Sequence, residues 1–352
     1  MSMSKKSDNK KFPVLFMSRY FYPHIGGVEK QVLMLSTKLI KMGFDLTVVT
    51  EKYSPELRER ETINGIHIIR FPPIRKKLLG LLSIWWWLFK NRVLIKEAKI
   101  IHIHSVYIWY WPFRILFLKK PSYVTFHGWE GKYPIPFKNI LIRKIDALLA
   151  KKNITISDYV QKYYGIKADK LMYTSVDLPQ LNKSKKIQKN LKNIIYVGRL
   201  DEDTGLNNIL TALSLLKNYH FIIDFCGDGP LRGVCEKYGV VHGFVDPHEF
   251  YEKAFICLSP GHTSILEAFT YKCLIITTYN NPLKRDYLKM TPFKKWICVE
   301  STPRGLANKI LFYYKRPEKA GNMINNAYNW VKTQNWENAI RLYLNLWGLD
   351  KN

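Results

Sequence analysis

Residues 255–278, FICLSPGHTSILEAFTYKCLIITT, read as a strand, a short polar loop, a helix and a second strand, which together make one βαβ unit. Phe255 to Leu258 and Leu274 to Thr277 are short apolar runs of the kind buried in parallel sheets. Between them Ser259, Pro260 and Gly261 break the chain, and Thr263 or Ser264 is expected to cap the helix. Glu267 then falls just over one turn into that helix. A carboxylate so placed, beyond the carboxyl end of a parallel strand, stands where doubly wound sheets bind ligands, and it can accept two hydroxyls from a ribose. The competing reading is a glutamate that only stabilises its own helix through the macrodipole, and the rest of the chain has to decide.

At 352 residues and 47% hydrophobic, the chain has the length and the apolar content for two α/β domains. Residues 1–190 carry 35 Lys and Arg against 13 Asp and Glu, a net of +22, whereas residues 191–352 carry 20 against 15. The basic half should face something anionic: nucleic acid, a membrane surface or a phosphorylated small molecule. All five cysteines lie in the second half without a CxxC, which argues against a zinc site or a disulfide framework and fits a reducing compartment. The first eleven residues are polar and run straight into a strand, so no secretion signal is expected.

Elsewhere the pattern repeats. PVLFM (13–17) is a buried strand, and Gly26 and Gly27 open an amphipathic helix running to about Met42. A glycine pair between strand and helix lets backbone amides approach a phosphate at the positive helix end, although turns use glycine for other reasons too. KIIHIHS (99–105) alternates like a strand. His102 and His104, two apart on one face, have a spacing that could bind metal, but no third ligand stands near them in sequence. YVTFHGWEG (123–131) is a strand that places His127 at its ligand-facing end; a structural imidazole capping a carbonyl is the alternative.

Residues 179–192 are polar and basic and read as the linker between an N-terminal domain (1–178) and a C-terminal one (193–325). The second domain opens with a strand ending in Gly198 and Arg199, a pairing suited to capture of phosphate oxygens. Asp201–Glu202–Asp203 has DxD spacing, more simply read as a solvated loop with acids at a helix start than as a metal site. No metal site is expected.

Leu78 to Phe89, LLGLLSIWWWLF, is about twelve apolar residues between basic flanks (Arg75, Lys76, Lys77, Lys90 and Arg92), too short for the ~20 residues of a bilayer span. Tryptophans beside Lys and Arg suit a helix lying in a membrane interface, and the aromatic cluster Tyr107, Trp109, Tyr110, Trp111, Phe113 strengthens that reading over an ordinary core helix.

In their order and spacing these pieces resemble the retaining GT-B glycosyltransferases of family 4 over nearly the whole chain. The matching motifs are YPHIGGVE (22–29), HIHS (102–105), VTFHG (124–128), NITISDYVQKYYGI (153–166), YVGRL (196–200), FCGDGPLR (225–232), VHGFV (241–245) and SILEAF (264–269). The resemblance implies two Rossmann-like domains facing across a cleft, the first holding the acceptor and the second a UDP- or GDP-sugar. It also implies a C-terminal helix (326–352) crossing back to the first domain. It assigns Glu267 to the donor ribose, Arg199 beside Gly198 to the diphosphate, Gly26 and Gly27 to phosphate from the opposite lobe, and His127 to the donor sugar and transition state.

Two positions depart from the family pattern. Thr204 stands where a lysine is usual, and Ser259 stands where an acidic residue usually precedes Glu267. His262 or backbone amides near Gly261 are expected to replace the lost contacts, and Thr204, Thr263 and Ser264 are counted with them among the residues that bind the donor.

The reaction implied is metal-independent sugar transfer with retention, without a protein nucleophile, to a glycan or lipid-linked acceptor at the cytoplasmic face of an anionic membrane. A catalytically inactive, membrane-associated relative is the alternative, and a GT-B epimerase or hydrolase a more distant one. Nucleic-acid binding has only the charge in its favour, since RRM, KH and helix-turn-helix signatures are missing.

Overall fold

The computed structural model of the protein describes residues 12–72, 77–128, 132–179 and 189–350. The polar start of the chain, the flank residues Arg75 and Lys76, residues 129–131 and most of the expected linker (180–188) lie outside the described residues.

The described residues form fourteen strands, most of them from the apolar runs: β1 (Phe12–Ser18), β2 (Phe44–Glu51), β3 (Arg60–Ile63), β4 (Ile66–Phe71), β5 (Ile100–His104), β6 (Ser122–Phe126), β7 (Lys152–Thr155), β8 (Lys170–Leu171), β9 (Asn190–Val197), β10 (Ile222–Cys226), β11 (Val240–Gly243), β12 (Ala254–Cys257), β13 (Leu274–Thr278) and β14 (Ile297–Glu300). They make an eight-stranded sheet, β3-β4-β2-β1-β5-β6-β7-β8, and a six-stranded one, β11-β10-β9-β12-β13-β14. Every pairing is parallel except that of β3 with β4. Helices cover both faces, so β5, β6, β12 and β13 are buried along their whole length. The architecture is two Rossmann-like α/β lobes.

The strand order reverses between β1 and β5 in the first sheet and between β9 and β12 in the second. These are the points at which doubly wound sheets leave a crevice beyond their strand ends. The loop after β1 carries Gly26 and Gly27, that after β9 carries Gly198 and Arg199, and that after β12 is Leu258–Gly261.

The βαβ unit of residues 255–278 forms as read, with Ile256 opposite Leu274 and Cys257 opposite Ile275. Its cap differs. The helix starts at His262 with extended Gly261 as N-cap and no side-chain cap. Thr263 and Ser264 lie inside the first turn, and Ser264 Oγ turns back to the Gly261 carbonyl at 3.2 Å.

β9 begins at Asn190, inside the expected linker. The crossing stretch is two helices, Gly321–Val331 and Trp336–Trp347, not one. Thr333 and Gln334 amides close a turn on Trp330 and Val331, and Asn335 caps the second helix by accepting the Asn338 amide at 2.9 Å. That last helix docks on the first lobe beneath β5 and β6. Tyr343 Oη meets Thr125 Oγ1 at 3.1 Å, and Trp347 Nε1 donates to His102 Nδ1 at 3.1 Å. Indole N–H is only a donor. The His102 proton therefore sits on Nε2, which donates to Thr125 Oγ1 at 2.7 Å. With both ring nitrogens so engaged, His102 has no lone pair left for a metal.

Trp347→Phe keeps the buried ring but strands His102 Nδ1. It should lower stability by about 1–3 kcal/mol, the cost of an unsatisfied buried polar atom. Urea unfolding checks this, and an unchanged midpoint would mean that the crossing helix does not depend on the contact.

Candidate functional site

A cavity of about 590 Å³ lies between the lobes. It is lined from the first lobe by Gly26, Gly27 and Lys30 and from the second by Gly198, Arg199, Thr263, Ser264 and Glu267. Seven of the eleven residues singled out from sequence thus meet there.

The lobes touch at one edge of this cavity. A Cβ on Gly27 would stand 3.0 Å from Thr263 Oγ1, so the first turns of helices Gly27–Lys41 and His262–Thr270 abut closely where residue 27 has no side chain. Two helix N-termini, each a positive dipole end, therefore converge from opposite lobes. Gly26 makes room for the Glu29 carboxylate, which folds back over it. Glu29 also faces His24 at 3.3 Å, and burial raises its pKa above the usual carboxylate range.

Glu267 is buried, and its carboxylate meets the half-exposed Lys30 ammonium at 2.5 Å across the cleft. Arg199 is exposed and holds Asp203 at 2.6 Å and Asp201 at 3.3 Å. The DxD loop thus spends both its aspartates on the arginine beside it.

Four predicted residues sit elsewhere. Thr204 turns inward, donating to the Asp201 carbonyl at 2.6 Å and accepting from Tyr196 Oη at 3.0 Å. Gly261 acts as N-cap. His262 is buried, stacked on Tyr287 at 3.9 Å, with its amide bonded to Tyr287 Oη and Nε2 to the Tyr287 carbonyl, both at 2.8 Å. It therefore steadies the loop from behind and does not line the cavity. His127 lies just past β6, 8% exposed, its Nε2 bonded to His104 Nδ1 at 3.0 Å. A Cβ on the adjacent Gly128 would fall 3.6 Å from the Tyr287 ring of the second lobe, which puts this strand end at the lobe junction. Ser259 is fully buried, its carbonyl accepting from Thr277 Oγ1 at 2.6 Å, and its hydroxyl bonds that of Ser264.

Two cations escaped sequence reading. Lys30 comes directly after Glu29 in the first helical turn, where a positive charge opposes the dipole; that misplacement was the available signal. Lys284 is buried, with its ammonium on the Pro260 carbonyl. Burial pushes its pKa down to about 7, against the pull of Asp203 and with a push from Arg199. Nothing in the local sequence PLKRDYLK announces it. The segment Phe244–His248 also lines the cavity, having been read only as part of a motif.

The tryptophan helix, Lys77–Lys90, has two faces. Ile84 and Leu88 are buried, Trp85 Nε1 donates to the Ile108 carbonyl at 3.0 Å, and Trp87 packs on Phe71. Leu79, Leu82, Trp86, Phe89 and, just beyond, Val93 are exposed, at helical spacing along one stripe. Lys90 lies over Trp86 at 4.8 Å and Arg92 over Phe89 at 4.9 Å. The second aromatic cluster corrects the sequence reading. Tyr107, Trp109, Tyr110 and Phe113 are core, and Trp111 is tied to Asp146 at 2.7 Å, because a turn rolls them under β5 and β6. The exposed apolar residues nearby are Ile115, Leu116 and Leu118. No helix of the described residues is long and apolar enough to cross a membrane.

Residues 25–173 match the family model described as Glycosyltransferase Family 4, and residues 179–330 that described as Glycosyl transferases group 1. Among solved structures, sucrose-phosphate synthase from Thermosynechococcus elongatus superposes with a TM-score of 0.74 at 18% identity, over 97% of this chain and 100% of that one. Anabaena HepE in complex with UDP and glucose superposes with a TM-score of 0.69 at 12% identity, over 96% and 99%. The GPI3 subunit of phosphatidylinositol N-acetylglucosaminyltransferase from Saccharomyces cerevisiae is 28% identical over 97 residues, 27% of this chain. The chain spans 22% of the length of that relative.

Burial holds four imidazoles, His102, His104, His127 and His262, below their usual range, the last two at about 3. The native state refuses protons that the unfolded chain takes up below about pH 6.5, so stability is present above that pH and lost beneath it, by about 1.4 kcal/mol per pH unit for each ring. Burial raises Asp146 to about 7 and Glu29 above its usual range, which work in the opposite direction but are two groups against four. Urea unfolding at pH 7 and pH 5 should show a steep loss of stability, and equal midpoints would mean that these rings are not held neutral.

Proposed function

We infer the reaction from one premise, that the chain belongs to the GT-B glycosyltransferases of the family 4 type. It moves a sugar from a UDP- or GDP-linked donor to a lipid-linked or glycan acceptor, with retention of anomeric configuration. The observation that carries this reading is the convergence of two helix N-termini, Arg199 and Lys30 around one buried carboxylate, Glu267, in a cavity between the lobes. The amides and cations suit a diphosphate, and the carboxylate suits the diol of a ribose.

As the bond between the anomeric carbon and the leaving phosphate oxygen breaks, negative charge grows on the diphosphate. Arg199 and the helix amides stabilise it, and one preorganised donor of this kind contributes roughly 3–4 kcal/mol. The acceptor hydroxyl attacks from the face the diphosphate leaves, and its proton passes to the leaving phosphate oxygen. His127 does not line the cavity but stands at the β6 end by the lobe junction, where a donor sugar extending from the cavity would meet a hydrogen-bonding imidazole, held neutral by burial and by Arg143, and not an acid.

The reaction proceeds without a divalent metal. Supporting this reading, Arg199 stands between Asp201 and Asp203 and supplies positive charge where a metal would otherwise serve. Turnover should persist in EDTA and fall at least tenfold in Glu267→Ala, which loses charge-assisted bonds to the ribose. Transfer of radiolabel from UDP- and GDP-sugars to membrane lipid extracts is the assay. Loss of activity with EDTA, restored by manganese, would return Asp201 and Asp203 to consideration as ligands.

The acceptor is carried on a lipid, and the first lobe docks peripherally on an anionic cytoplasmic membrane face through the stripe of Leu79, Leu82, Trp86, Phe89 and Val93. Supporting this are the basic residues Lys90 and Arg92 beside the stripe and a relative whose name specifies phosphatidylinositol as acceptor. The protein should float with anionic liposomes. Trp86→Ser should reduce the salt-resistant part of binding, whereas Trp85→Ser, which cuts a buried contact, should lower stability instead. A protein left in the soluble fraction at low salt would exclude the stripe as a docking face.

A further inference from the structure

In this structure, Lys30 occupies the carboxylate that the donor ribose would need. Its ammonium lies 2.5 Å from Glu267 Oε1, joining residues 237 apart in sequence and on opposite lobes. Glu267 is nearly enclosed while Lys30 keeps 49% of its side chain exposed, so the carboxylate is the fixed partner and the lysine the movable one. A four-carbon stem carries a compact charge that can be redirected at little cost.

The helix determines where it can go. Lys30 stands in the first turn of Gly27–Lys41, and its amide closes that turn on the Gly26 carbonyl at 3.0 Å. Helical side chains lean toward the N-terminus, so the Lys30 stem points back over Gly26 and Gly27, toward the amides of its own helix and those of His262–Thr270 that abut them. The other acid at this end, Glu29, is engaged with His24. An ammonium released from Glu267 would find positive helix ends and the Arg199 guanidinium around it, offset by the Glu29 carboxylate that lies over Gly26 and is shared with His24, so a further anion would hold it better.

We propose that Lys30 is a diphosphate ligand held in waiting by Glu267, and that donor binding exchanges the pair: the ribose hydroxyls take over the carboxylate, and the freed ammonium meets the diphosphate oxygens. The proposal rests on the donor-site reading given above. It adds a ligand from the first lobe, so a bound donor would tie the lobes through its phosphates as Lys30 and Glu267 tie them before it arrives.

Calorimetric titration of the full chain with uridine, UMP and UDP, and with guanosine, GMP and GDP, tests it on the parent, Lys30→Met and Lys30→Arg. Lys30→Arg keeps a cation on Glu267, whereas Lys30→Met leaves that enclosed carboxylate without one and should lower stability, so a thermal melt first checks that each variant is folded at the titration temperature. The exchange predicts that Lys30→Met weakens diphosphate binding roughly ten- to a hundredfold, the loss of a charge-assisted bond, with little or no loss for the nucleoside. Lys30→Arg should restore most of it. If Lys30 merely blocks the site, Lys30→Met will tighten nucleoside and diphosphate alike, and the proposal falls. Unchanged affinities also overturn it while leaving the donor site standing. A parent that binds none of the six nucleosides and nucleotides removes the donor-site reading, and the exchange with it.

Discussion

A missing side chain at residue 27 lets the first turns of two helices from different lobes come into contact, and the site depends on that contact. With 3.0 Å between an ideal Cβ and Thr263 Oγ1, even an alanine would press on the threonine hydroxyl, and a bulkier residue would crowd the edge where both dipole ends point. The lobes are held in this relation from two other sides. Ser157 donates to the Met290 carbonyl and Lys162 pairs with Asp286 on one flank, while the crossing helix docks under β5 on the other. Each tether belongs to a strand-end loop or to a helix next to one, so the crevices at the two switch points are made to face each other.

The electrostatics of the cavity divide into movable and fixed parts, and magnitudes say which is which. The pairs Arg199 makes with Asp201 and Asp203 are exposed on the arginine side, and exposed pairs contribute only about 0.2–1 kcal/mol. A diphosphate can take that guanidinium at small cost. The Lys30–Glu267 pair has one enclosed partner, so Glu267 cannot lose its cation without gaining hydrogen bonds in exchange. A ribose diol meets that condition, and water-filled emptiness meets it less well. On the donor-site reading proposed above, the cavity would favour a ligand that brings hydroxyls and phosphate together.

The fold was legible in the sequence because buried parallel strands announce themselves as short apolar runs and switch-point loops carry glycine. Gly26, Gly27, Gly198, Arg199 and Glu267 could all be found by inspecting the loop and first helical turns beyond each strand. Lys30 and Lys284 could not, since their meaning comes from a partner on another loop or another lobe. The three consecutive tryptophans misled in a different way. Successive residues on a helix are about 100° apart, so Trp85 and Trp87 turn toward the core and leave Trp86 to the surface stripe. The aromatic cluster after β5 has no such split, because its turn is rolled under the sheet as a whole. The cap expected from Thr263 or Ser264 failed because extended Gly261 enters the helix one residue earlier and the serine hydroxyl serves the loop instead.

Thr204 shows how a lost charge can leave the backbone intact. Its hydroxyl closes the Glu202–Thr204 turn on the Asp201 carbonyl and accepts from Tyr196, so the loop that presents Arg199 keeps its shape without a cation there. Lys284 is felt by Arg199 and Asp203, but it sits behind Pro260, and its desolvation brings its pKa to about 7. Near neutral pH its charge is therefore only partly present. A buried cation of this kind strengthens as negative charge is brought beside it, because an anion offsets the desolvation that had weakened it. Lys284 does not line the cavity, so an anion bound there would feel it through the Pro260 loop that it holds and the Arg199–Asp203 pair beside it, and not by direct contact.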